Sequence, residues 1–153
     1  MKRVAPRGLL MAAVLLLAGC WPFSPSDRNR DALEGAQRKW QDRGYTSYEF
    51  RVQRSCFCAP PATAPLLVRV QDGQAVSVTN ADTGAPATPT IGMPLTVDAL
   101  FAIVDDAIDR EAATLTVTYD DALGYPLNIA IDYDQRIADE EAYYTASGLR
   151  PLR

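Results

Sequence analysis

The chain has no histidine among its 153 residues. Missing with it are the side chain that most readily exchanges protons near neutral pH and the commonest metal ligand, which excludes a His-based catalytic triad or a His-containing zinc centre. Cysteine is scarce as well, at three, one short of an all-thiolate structural zinc site. Basic side chains are outnumbered, with 15 Lys and Arg against 19 Asp and Glu. Binding to a phosphate backbone needs a basic stripe, and none runs through this sequence, so no nucleic-acid partner is expected. The sequence also lacks a Cys-x-x-Cys pair, a twelve-residue calcium loop built around a Gly, and a repeat at the residue level. Its apolar run at residues 9–17 covers about half the bilayer core at roughly 1.5 Å per helical residue, too little for a transmembrane helix.

That run lies between Lys2, Arg3 and Arg7 on one side and the small residues Ala18 and Gly19 on the other, the layout of a secretory signal peptide over residues 1–19. Ala18-Gly19 placed directly before Cys20 resembles the bacterial lipoprotein signal, in which the Cys becomes the lipidated first residue of the mature chain. The resemblance implies export, a palmitate-type lipid anchor on Cys20 and attachment to a membrane of the cell envelope. Trp21, where Asp marks inner-membrane retention, implies the outer membrane, facing the periplasm. Cleavage there removes three basic residues and makes the formal charge of −4 three units more negative. Residues 20–26, with Pro22 and Pro25, read as a short stiff tether, and residues 27–153 suffice for a single domain.

Within that domain, residues 45–58 form the most informative stretch. Tyr48, Phe50, Val52, Cys56 and Cys58 alternate with polar residues, as in a half-buried strand, and Arg54 breaks the run. Before it, Ser26 or Asp27 can cap a helix that carries Leu33, Ala36 and Trp40 on one face. After a proline-rich loop at residues 59–65, Leu66, Val68 and Val70 face Val76 and Val78 across a turn at Asp72-Gly73. A three-residue loop, pairing 68 with 76, would keep all the valines on one face. Residues 80–94 read as an exposed connection. A second helix starts at Thr96, with Leu95 and Leu100 as a hydrophobic staple and Val97, Leu100, Phe101, Val104 and Ile108 as its apolar face. Strands at 114–119 and 127–133 join through Leu123-Gly124-Tyr125-Pro126, and a short strand follows at 142–146. The expected fold is α+β: an antiparallel sheet of about six strands with two helices on one face, in the order helix, three strands, helix, three strands.

Trp40, Tyr48-Glu49-Phe50, Cys56-Phe57-Cys58, Asp72-Gly73, Tyr119-Asp120, Leu123-Gly124-Tyr125-Pro126, Ile131-Asp132 and Ile137-Ala138-Asp139-Glu140, with Tyr144 and Ser147, carry a further likeness. Together they resemble the family of small bacterial secreted or lipid-anchored proteins catalogued as domain of unknown function six-one-seven-four. The resemblance covers nearly the whole mature chain and implies no activity, catalytic residue or cofactor.

Three sites stand out beside Cys20. Cys56 and Cys58 would sit in an oxidising compartment, which favours a disulfide between them. Residues two apart on a strand have Cα atoms about 6.6 Å apart, near the upper limit for a bridge, so that bond needs a kinked strand end. The pair then reads as a local structural clip or as two buried thiols; the alternatives are a strained, exposed bridge that is redox-active and a thiolate metal site. Asp120, Asp121, Asp132, Asp134, Asp139, Glu140 and Glu141 cluster around the last hairpin. Asp132, Asp134, Asp139 and Glu140 are the candidates for a divalent cation, which needs several converging oxygens, although solvated acids and turn caps also account for them. Tyr125 is either a turn residue or an exposed aromatic suited to a partner. The functional expectation is a non-enzymatic, lipid-anchored envelope protein that binds or scaffolds another envelope component. The alternatives are a thiol/disulfide redox protein and a divalent-cation-binding protein.

Overall fold

The strand beginning at Tyr48 is the centre of the molecule. A computed structural model describes residues 25–56, 62–137 and 141–152. Its elements are α1 (Pro25–Arg43), β1 (Tyr48–Ser55), β2 (Leu66–Gln71), β3 (Gln74–Asn80), α2 (Val97–Asp109), β4 (Thr114–Tyr119), β5 (Pro126–Asp132) and β6 (Ala142–Pro151). The strands form one sheet in the order β3-β2-β1-β6-β5-β4, with antiparallel neighbours throughout. This is the expected α+β architecture and element order. Strand β1 opens the first half at the centre of the sheet, whereas β4 opens the second half at an edge. The two αβββ halves therefore do not occupy equivalent positions.

One face of the sheet is covered. Tyr48, Phe50 and Val52 of β1, Leu66, Val68 and Val70 of β2, Ile129 and Ile131 of β5, and Tyr144 and Ala146 of β6 are buried in a single cluster with Leu33, Ala36 and Trp40 of α1 and the apolar stripe of α2. The opposite face carries the alternate residues, among them exposed Arg51, Arg69, Thr145 and Ser147. Such one-sided burial is the usual condition of an antiparallel sheet and produces the period-2 signal.

Helix α2 is built from local rules. Thr96 accepts a hydrogen bond from the Ala99 backbone N–H at 3.1 Å, a cap worth about 1 kcal/mol. The Val97 N–H, which has no partner within the helix, donates to the buried Tyr48 hydroxyl at 2.9 Å. Tyr48 packs edge-on against Trp40, with ring centroids 5.3 Å apart, so one side chain of β1 ties both helices to the sheet. The helices also meet directly, where Arg30 pairs with Asp105 and Asp109.

Four local expectations are corrected. Helix α1 already includes Pro25, Ser26 and Asp27, so Ser26 and Asp27 are helical rather than caps, and Pro25 and Ser26 belong to the helix rather than to the expected tether. The β2–β3 turn has two residues: Asp72 and Gly73 both have positive φ, 49° and 77°, and Gln71 pairs with Gln74, as in a type I′ hairpin. A bulge then restores the register. Val70 opposes Ala75 and Arg69 opposes Ser77, which leaves Val76 as the extra residue, so that Val78 faces Val68. Val76 is 51% exposed. In the connection at residues 80–94, Met93 is buried and joins the core.

Strand β6 runs ten residues rather than five. Its pairing with β1 shifts between Glu49 and Arg51, and Gly148 there has φ +62°. One extra residue reverses which side chains face inward, so the buried pair Tyr144 and Ala146 is followed on the core side by Leu149. The change of parity hid the second half of the strand from a period-2 reading.

Candidate functional site

The Leu123-Gly124-Tyr125-Pro126 turn proves to be structural. Asp120 Oδ1 accepts from the Ala122 and Leu123 backbone N–H groups at 2.9 and 2.7 Å, fixing a turn that lies directly on α1. Lys39 and Arg43 donate to the carbonyls of Asp121 and Ala122. A Cβ on Gly124 would stand 2.5 Å from the Ala36 carbonyl oxygen, so only glycine permits this approach. Tyr125 is 4% exposed and hydrogen-bonds the Leu149 backbone, while burial pushes its phenol pKa up. It is a core residue, which corrects the expectation of an exposed partner-binding aromatic.

Of the described acids around the last hairpin, Asp120 and Asp134 are held in structural bonds. Asp134 accepts from the Arg136 backbone N–H, Nε and Nη2 at 3.0, 2.9 and 2.7 Å, and these bonds hold its carboxyl below the usual range. Asp132 is half-buried at the end of β5, opposite Thr114. Among the described residues no three His, Cys, Asp or Glu side chains converge as a metal site would require. Asp139 and Glu140 lie outside the described residues. So do Cys20 and Cys58. Cys56 lies just past the end of β1 and is disulfide-bonded; its partner also lies outside the described residues.

A different residue carries unspent chemistry. Two-residue periodicity in β1 turns Arg54 to the same side as Tyr48, Phe50 and Val52, towards α2. There it lines a cavity of about 380 Å³ together with Ile103, Asp106, Ile131, Tyr133 and Tyr144. Its Nε is buried without a hydrogen-bond partner, and no described carboxylate forms an ion pair with it. Its guanidinium carbon lies 5.8 Å from the Tyr144 ring centroid, within the range of a cation–π contact.

The other charges in this region are matched. Asp106 accepts from the Tyr133 hydroxyl at 3.0 Å and from Arg110 at 3.4 Å, and the Arg110 guanidinium stacks 3.8 Å from the Tyr133 ring centroid. Burial and the neighbouring Asp106 push the Tyr133 pKa up. The arrangement offers one uncompensated positive charge between aromatic and aliphatic walls. A guanidinium carries a planar fork of N–H donors and no acceptor, so Arg54 can hold an anion. The sequence signal for this site is a cation at an inward position of an otherwise apolar strand face.

A second cavity of about 220 Å³ lies between the first turn of α1 and the end of α2, where Glu111 is its charged group. Among the described residues no helix is long and apolar enough to cross a membrane.

The model of a family described as Family of unknown function (DUF6174) matches residues 32–151. No curated protein and no solved structure matches the chain.

Proposed function

Taking as premise that the chain belongs to this family of unknown function, we propose that it is a non-catalytic binding protein, held to the outer membrane by a lipid on Cys20 and facing the periplasm. The observation that carries the binding reading is Arg54, a fixed cation left without an anionic partner in a cavity of ligand size. Elsewhere in the domain, several charged side chains already serve as structural pairs: Asp120 caps a turn, Asp134 holds Arg136, and Glu49 pairs with Arg150 across β1 and β6. The lipid anchor rests on the order of basic residues, apolar run and Ala18-Gly19-Cys20. In cells fed labelled palmitate, the protein is expected to take up label in the membrane fraction, and Cys20→Ala is expected to lose both label and membrane retention. Continued labelling of the variant refutes the anchor.

A thiol–disulfide role is the second reading, favoured by the bonded state of Cys56. Lipidation of Cys20 would consume that thiol and leave Cys58 as the only other cysteine of the chain. If Cys56→Ser and Cys58→Ser variants retain every phenotype of the wild type, this reading fails.

A further inference from the structure

Arg54 occupies a strand position where alternation calls for an apolar side chain. A buried guanidinium nitrogen without a partner costs stability unless something satisfies it, and nothing among the described residues does. An anion in the cleft would balance the charge. Three features select which anion.

The first is charge. Asp106 is matched by Arg110, so the cleft calls for one negative charge, and a phosphate dianion would face Asp106 across the same cavity. The second is shape, because the planar guanidinium fork fits the two oxygens of a carboxylate. The third is the lining. Ile103, Ile131, Tyr133 and Tyr144 give apolar and aromatic walls, and about 380 Å³ falls within the roughly 300–1,000 Å³ range of small-ligand pockets. A Cβ on Gly92 would lie 4.0 Å from Arg54 Nη1, which places the loop before α2 against the guanidinium.

We propose that the Arg54 cleft binds a monoanionic carboxylate joined to an apolar body, supplied either by a free aliphatic acid or by the carboxyl terminus of a polypeptide. The inference deepens the binding reading above and rests on it. Arg54 supplies the charge and the fork, the tyrosine rings and isoleucines take the apolar body, and Asp106 excludes a second negative charge.

The test uses the full lipid-anchored protein in nanodiscs, titrated calorimetrically with hexanoate, hexanol and hexylammonium. A second pair of probes is a short peptide ending in Ile-Leu, as free acid and as amide. Saturable binding of a carboxylate probe is expected, with none for hexanol or hexylammonium. Arg54→Met is expected to weaken that binding at least about tenfold while melting no lower than the wild type. Arg69→Met, an exposed arginine of β2, serves as the control and is expected to bind unchanged. Binding of the peptide acid but not the amide assigns the chain terminus as the source, whereas binding of hexanoate alone assigns a free acid. The proposal is overturned if neither carboxylate probe binds, or if Arg54→Met binds as tightly as the wild type. Either of those results leaves the palmitate-labelling test of the anchor untouched, and failure of the labelling leaves the cleft's ligand chemistry as measured.

Discussion

Tyr48 and Gly124 show how much of the assembly depends on single side chains. Burial raises the Tyr48 phenol to about 12 and the Tyr119 phenol to about 12 as well, from an ordinary value near 10. Both groups resist ionisation in the fold more than in the unfolded chain. Their contribution is fully present below about pH 10, where both states are protonated, and is lost as pH rises towards 12 because the unfolded chain releases its protons first. Urea denaturation across this range should show stability falling, and Tyr48→Phe should flatten part of the fall. At neutral pH the same variant leaves the Val97 N–H unpaired and is expected to cost about 1–3 kcal/mol. Gly124→Ala should cost more than the roughly 1–2 kcal/mol of a left-handed alanine, because the new Cβ also meets the α1 backbone; a melting temperature equal to wild type would contradict that packing. At this scale the sequence is unevenly informative. The Gly and Pro of Leu123-Gly124-Tyr125-Pro126 reveal a turn, but the proximity of α1 that buries Tyr125 is a tertiary fact. Arg54 was visible as a break in alternation, and its meaning required the cavity around it.

The elements themselves were legible wherever local chemistry determines them. Helix α2 follows from Thr96, the Leu95–Leu100 staple and a clean apolar stripe, and the inward faces of β1, β2 and β5 follow from alternation. Bulges are what alternation cannot foresee, since one inserted residue reverses the parity of everything after it. This happened at Val76 in β3 and near Gly148 in β6. The hairpin makes the point testable: Val76→Thr should remain within about 0.5 kcal/mol of wild type, whereas Val68→Ala, at a fully buried site, should cost about 2 kcal/mol. Equal costs would support the three-residue loop, in which residues 68 and 76 face each other.

Across the whole molecule, element order came from the sequence and strand order from the structure. Periodicity identifies which residues face inward, but not which strands are neighbours, and the central pair joins β1 to β6 from opposite ends of the domain. This pairing also makes the site. It brings Arg54 of β1 alongside Tyr144 of β6, and α2 closes the cavity over them with Ile103 and Asp106. Export and lipidation, expected from Cys20 and the residues before it, would place that cavity at a membrane surface, where a bound carboxylate could belong to an envelope component. The most direct measurement is photo-crosslinking in cells from a reactive side chain at position 102, an exposed residue that lines the cleft, in the anchored wild type and in Arg54→Met. A discrete adduct is expected in the wild type and is lost in the variant while it remains folded and membrane-bound; an adduct of equal yield in both, or none in either, would contradict binding at Arg54.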